Sequence, residues 1–324
     1  MLQDLISQVN DLHNCDLENN DELEVTKRVK RRRKLLGQND INEQHSKTSK
    51  VVANYKDLIS SISSGDKLGD EHVNAGNQLL RNQYPEIQGL CTPVLGQKLC
   101  FPEFNILQGY AGNTYLQVLH TGADHWITIE ILSEEEVRLY DSIFLKPTYH
   151  TLKQIASIVK SKYDKIQISL AKVQFQKSAD DCGVYALAFL ADLCHGVDPN
   201  TRDYANGQQL RKHLIHCFRQ GTMLPFPSTA RSKPERPLII SLQIYCSCRM
   251  PFALEHFAKK QVPKGEDTGM IQCDFCNNWY HHSCVKLSDK ELQKFSKPNV
   301  TWMCSFKGCN DYIDELLQSD SDHD

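Results

Sequence analysis

The sequence predicts an α+β domain, a mixed sheet packed on helices, followed by a small module held together by metal. Three observations carry this. Runs with apolar residues at every second position fall at 127–131, 136–142 and 165–170, the period of strands with one buried face. Around them, 71–83, 151–163, 184–191 and 206–218 place apolar residues three and four apart, the period of helices. Seven of the thirteen cysteines lie between Cys246 and Cys309, in Cys-x-Cys and Cys-x2-Cys pairs with an interposed histidine. That is metal-ligand spacing, not a secreted disulfide framework.

In chain order, residues 1–55 are polar. Acid-rich Asp16 to Glu24 precedes Lys27-Arg28-Val29-Lys30-Arg31-Arg32-Arg33-Lys34. Such an arm is expected to be disordered, and its basic run reads as a nuclear import signal or a nucleic-acid contact. The helix from Glu71 stops before Pro85, and Val118-Leu119-His120 forms a further strand ahead of the three already named. Leu152, Ile155, Ile158 and Val159 share one face of a helix, and Asn206 to Phe218 closes the domain. Pro225, Pro227, Pro234 and Pro237 then mark a linker. The expected organisation is an arm over 1–55, a globular domain over 56–225, a linker over 226–241, a metal module over 242–316 and an acidic tail over 317–324.

At 324 residues, with 40% apolar and 24% charged side chains, the chain has room for two or three soluble domains. A net charge of −3 says little about partners, because the charge is unevenly distributed. No apolar run approaches the roughly 18 residues that span a bilayer, so an intracellular protein without membrane contact is expected.

The chemistry centres on Cys182. Val184, Tyr185, Leu187, Ala188 and Ala191 follow it at helical spacing, and Gly196 supplies a stop. A thiol on the first turn of a helix sits at the positive end of the backbone dipole, which favours the thiolate that attacks carbonyls. His125 opens one strand and Asp141 ends the next, so adjacent strands can present base and orienter together. Gln176 stands six residues before Cys182, where its amide can donate to a developing oxyanion.

The ordered set His125-Trp126, Tyr140-Asp141-Ser142, Gln176 and Asp181-Cys182-Gly183 resembles the cysteine proteases that process SUMO and related ubiquitin-like modifiers. Lys67 to Asn74 resembles the helix start that those enzymes place beside the substrate tail, and Leu79-Leu80 to Leu90 resembles versions carried by transposable elements. The resemblance covers 56–225. It implies a papain-like fold and a peptidase with Cys182 as nucleophile, His125 as base, Asp141 as orienter and Gln176 as oxyanion donor. Trp126 and Asp70 would contact the substrate, a modifier or modified protein, with no cofactor for catalysis. Lys67 stands where the family usually has tryptophan, which leaves Trp126 alone to clamp a tail. The alternative is a protease fold turned into a non-catalytic binding surface of a chromatin or transposon accessory protein.

The C-terminal module offers Cys246, Cys248, Cys273, Cys276, His281, Cys284, Cys304 and Cys309, a donor set that two tetrahedral zinc ions account for. It resembles a PHD finger. The resemblance implies interleaved ligands, with one structural zinc on Cys246, Cys248, His281 and Cys284 and the other on Cys273, Cys276, Cys304 and Cys309. It also implies that Tyr245, Phe252, Met270 and Trp279 line a methyl-lysine cage, because aromatic faces attract a quaternary ammonium. Asp274 would pair with a neighbouring cation of the same peptide. The expected partner is the histone H3 tail and the expected location the nucleus.

Overall fold

The computed structural model describes residues 55–94, 114–121, 124–143, 146–257, 259, 262, 268–306 and 309. The expected arm with its basic run Lys27 to Lys34, and the acidic tail, lie outside the described residues. Two helices come first, α1 (Lys56–Ser64) and α2 (Asp70–Gln83), then strands β1 (Gln88–Gly89), β2 (Tyr115–His120), β3 (Trp126–Ile131) and β4 (Glu136–Tyr140). Helix α3 (Tyr149–Val159) leads to β5 (Lys165–Ala171) and to α4 (Cys182–Cys194). After β6 (Arg202–Tyr204) and α5 (Gly207–Gln220) come β7 (Ser228–Ala230) and β8 (Leu238–Gln243). The last elements are α6 (Ala253–His256), β9 (Met270–Gln272), β10 (Trp279–His281) and α7 (Asp289–Phe295).

The main sheet runs β1-β2-β3-β4-β5-β8. β1 is parallel to β2, the β2-β3-β4 run is antiparallel, β4 and β5 are parallel, and β8 is antiparallel to β5. The fold is therefore a mixed sheet on helices, as the periodicities predict. The single buried face expected of β3 is not what forms, because all six of its residues are buried. Ile127, Ile129 and Ile131 join the core under α3 with Leu152, Ile155 and Ile158. On the other face Thr128 and Glu130 lie under α4 with their polarity satisfied: Thr128 donates to the carbonyl of Ala186 at 2.8 Å, and Glu130 accepts from Tyr140 at 3.0 Å. Paired in this way, buried polar groups escape most of their desolvation cost.

Part of the expected linker is a strand. Residues 238–243 pair with β5 from Lys165↔Gln243 to Leu170↔Leu238, which carries the sheet to within three residues of Cys246. The start of the C-terminal module is thereby anchored to the domain. Arg249 donates to Ser161 O at 2.9 Å, to Asp164 Oδ1 at 3.1 Å and to Tyr163 O. Phe257 meets the ring of Tyr149 edge-on at 6.0 Å.

Candidate active site and metal-binding module

The antiparallel β3-β4 pair places His125 just before one strand and Asp141 just after the other. The turn into β3 holds Asp124 at φ 55°, a left-handed conformation that aspartate tolerates better than most residues. His125 and Asp141 are both buried, and His125 Nε2 donates to Asp141 Oδ1 at 2.8 Å. The same carboxylate oxygen accepts from Ile143 N at 2.8 Å, which fixes its direction. The opposite ring nitrogen, Nδ1, is buried with no formed hydrogen bond, and the Cys182 thiol approaches closely enough to act on the ring's charge. Burial works against the imidazolium. The Asp141 hydrogen bond and charge, joined by the nearby Cys182 sulfur, outweigh it and raise the pKa to about 9.

Cys182 is the first residue of α4 and is buried. The helix can start so close to its neighbours because Gly183 has no side chain: a Cβ there would lie 2.7 Å from that of Leu68. The carbonyl of Leu68 accepts from Trp126 Nε1 at 2.9 Å, so Trp126 sits only 4% exposed, with its indole edge tied down. Gln176 is held on both sides. Ser142 donates to its Oε1, and its Nε2 donates to Ser178 O at 2.7 Å, which leaves one amide hydrogen for another acceptor. Asp70 is exposed at the start of α2. Lys67 ion-pairs with Asp124, and a cavity of about 260 Å³ opens beside them, lined also by His125, Asp141, Ile143 and Lys146.

Four predicted residues thus come together: Cys182, His125 and Asp141 in one constellation, and Gln176 in the loop that delivers the thiol. Sequence reasoning gave Ser142 no role beyond its place in the motif, although its hydroxyl holds the glutamine, and missed Arg211, which binds the residue before the thiol. A serine in a strand-end turn carries no distinguishing pattern, and an arginine beside lysine on a helix reads as solvated.

In the C-terminal module, β9 and β10 pair antiparallel and bring the distant cysteine pairs together. The donor atoms of Cys246, Cys248, His281 and Cys284 all lie within 4.8 Å of one another, and so do those of Cys273, Cys276, Cys304 and Cys309. Tetrahedral zinc with bonds near 2.3 Å separates sulfurs by about 3.8 Å. The Cys273–Cys309 and Cys276–Cys304 pairs stand at 3.9 Å, and Cys304–Cys309 at 3.2 Å. His281 turns Nδ1 towards Cys248 Sγ at 3.3 Å, and its Nε2 donates to Pro251 O at 3.3 Å, the outer contact that fixes a ligand tautomer. Both donor sets fit zinc.

The β9-β10 register puts Trp279 and Met270 on one face, diagonal to each other, while Tyr280 and Ile271 point into the small core. Trp279 is 45% exposed. Tyr245 and Phe252 are half-buried in the first knuckle, where Tyr245 bridges to Met250. Asp274 spends one carboxylate oxygen on the backbone N–H of Trp302 at 2.6 Å.

Residues 257–306 match the family model described as PHD-finger. Among curated proteins, a 48-residue stretch is 35% identical to lysine-specific demethylase 7A of Xenopus tropicalis, covering 15% of this chain and 4% of that one. A 62-residue stretch is 32% identical to histone lysine demethylase PHF8 of Danio rerio, covering 18% and 5%. The chain therefore spans a small fraction of the length of these relatives. Among solved structures, the C-terminal Ulp1 protease domain in complex with Smt3, the yeast ortholog of SUMO, is similar at 12% identity and a TM-score of 0.41, over 50% of this chain and 81% of that one. A Ulp1 structure with its cysteine oxidised to a sulfenic acid is similar at 14% identity and the same TM-score, over 63% and 96%.

Proposed function

We propose that the protein is a thiol peptidase that cleaves a peptide or isopeptide bond at the tail of a ubiquitin-like modifier, and that its PHD finger holds it at methylated histone H3 tails in the nucleus. The observation that carries the first half is the buried His125–Asp141 pair, with Nδ1 uncommitted and the thiol beside it. His125 takes the thiol proton at Nδ1 and holds it as imidazolium, and the thiolate attacks the carbonyl carbon. Gln176 Nε2 and the free N–H groups of the first turn of α4 receive the oxyanion, and His125 then returns the proton to the leaving amine. Water, deprotonated by the same imidazole, hydrolyses the thioester.

The second half rests on the finger. Zinc, once bound, supplies folding energy there and no catalytic step, with Cys246, Cys248, His281 and Cys284 holding one ion and Cys273, Cys276, Cys304 and Cys309 the other. Trp279 and Met270, on the open face of β9-β10, offer the cation–π and soft contacts that an alkylated ammonium prefers. The basic run Lys27 to Lys34 is assigned to nuclear import or to nucleic acid. The test is a panel of modifiers with a fluorogenic group on the C-terminal glycine. Turnover of one of them that vanishes in Cys182→Ala is expected; turnover that persists in that variant rejects the peptidase assignment.

A further inference from the structure

Asp181 occupies the N-cap position of α4, where an aspartate normally turns its carboxylate onto the helix's first N–H groups. It does not do so here. Its backbone is at φ −96°, ψ −2°, and its side chain makes no capping bond. The carboxylate points instead at Arg211, which is buried on α5 and donates from Nε to Asp181 Oδ1 at 2.9 Å. Arg211 Nη2 donates to Asp180 O at 2.6 Å, and Nη1 to Asp66 O at 2.6 Å, in the loop that leads to Leu68 and the close approach to Gly183. The carboxylate's other oxygen lies against Gly207, the first residue of α5, where a Cβ would come within 1.9 Å of it. One guanidinium therefore grips the two residues before the thiol and the loop packed over the helix start.

We propose that Arg211 is a positioning residue for Cys182: it draws the Asp181 carboxylate off the first turn of α4, leaving that turn's N–H groups and their positive end to the thiol and the oxyanion. An anion capping α4 would occupy those donors and put a negative charge next to the thiolate, working against both steps. The charged groups that face the thiol are His125, itself paired with Asp141, and Lys67, which also faces Asp124 and Asp180. The proposal rests on the peptidase reading, and its test keeps the two separable.

The test is alkylation of Cys182 by iodoacetamide in the full zinc-loaded chain, read by peptide mass spectrometry at pH 6 and pH 10, beside steady-state turnover. The wild-type rates at the two pH values are the reference, since burial of the thiol is the same in each comparison. In Arg211→Gln the pH 6 rate falls about tenfold and the pH 10 rate holds, because thiolate formation is what is impaired. Turnover falls roughly tenfold to a hundredfold with KM little changed. Adding Asp181→Asn to Arg211→Gln removes the loose charge and recovers most of the pH 6 rate. Unchanged rates, or an equal drop at both pH values, overturn the positioning role and leave Arg211 as a packing contact. If Arg211→Gln does not fold, Arg211→Lys, which keeps the charge and loses the fork, is expected to lower turnover several-fold; wild-type turnover there also overturns the proposal. Absence of turnover by the wild-type chain on every modifier substrate rejects the peptidase reading itself, independently of any Arg211 variant.

Discussion

The two halves of the chain solve stability in opposite ways. The α/β layer buries both faces of its sheet, with one apolar cluster under α4 and another under α3. Each fully buried Leu, Ile or Phe there contributes about 1.5 to 3 kcal/mol. Among the described residues, the finger's buried core is Ile271, Tyr280 and Trp302 beside the buried cysteines Cys273, Cys304 and Cys309. Three such side chains fall well short of the entropy of ordering the finger, whereas one structural zinc contributes on the order of 10 kcal/mol. The difference teaches where each half is vulnerable. The layer depends on close packing and on the pairing of its few buried polar groups, and the finger tolerates surface change but depends on its ligands.

The largest effect expected is chemical. Cys182→Ala should abolish turnover and leave the circular dichroism spectrum unchanged, because a small buried residue replaces another at a helix start; a variant that unfolds would place Cys182 in the layer's packing instead. Metal removal comes next and addresses the comparison directly. Chelation should abolish the dispersed NMR signals of β9, β10 and α7, while β2 to β5 stay protected from hydrogen exchange. Loss of protection across the whole sheet would mean that the junction at β8 makes the two halves one cooperative unit.

Gln176→Ala should lower kcat roughly a hundredfold with KM nearly constant, the usual cost of one oxyanion donor; equal kcat would make the amide a structural link between Ser142 and Ser178. The pH profile sharpens the same site. His125 is raised to about 9, so its imidazolium persists at neutral pH, and the stability it brings is present below the ordinary histidine value and lost as pH rises through about 9. The alkaline limb of kcat/KM should fall there, and Asp141→Asn should move it down in pH. A limb indifferent to Asp141 would detach the aspartate from the histidine.

The smallest effect concerns the finger's open face. Trp279→Ala should keep both metals and weaken binding of trimethylated H3 peptides at least several-fold, since one cation–π contact is worth roughly 0.5 to 2 kcal/mol. Isothermal titration decides it: equal affinity for methylated and unmethylated peptides would reduce Trp279 to an exposed surface aromatic.

What could be read from the sequence follows the same division. The two donor clusters are marked by local spacing of cysteines with one histidine, so their eight residues were legible, and β9-β10 pairing needed only to bring them together. The places of His125, Asp141 and Cys182 at strand and helix ends were legible because such ends are marked by changes of period. Arg211 was not, because its partners Asp66, Asp180 and Asp181 lie about 30 and 145 residues away and only the packing of α5 joins them. β8 was hidden for a related reason. Pro234 and Pro237 read as a linker, yet Leu238 to Gln243 alternates as an edge strand, with prolines permitted just before it. The polar face of β3 misled in the other direction, since Thr128 and Glu130 are buried with partners that only the folded sheet supplies.

The central claim is that Cys182 is a thiolate nucleophile served by His125. A ubiquitin-like modifier carrying an electrophile in place of its C-terminal carboxyl tests it most directly, with the adduct mapped by mass spectrometry. The account predicts a single covalent adduct on Cys182 with at least one modifier, lost in Cys182→Ala and strongly slowed in His125→Ala. Labelling that falls on other cysteines, or that proceeds equally well without His125, would contradict it.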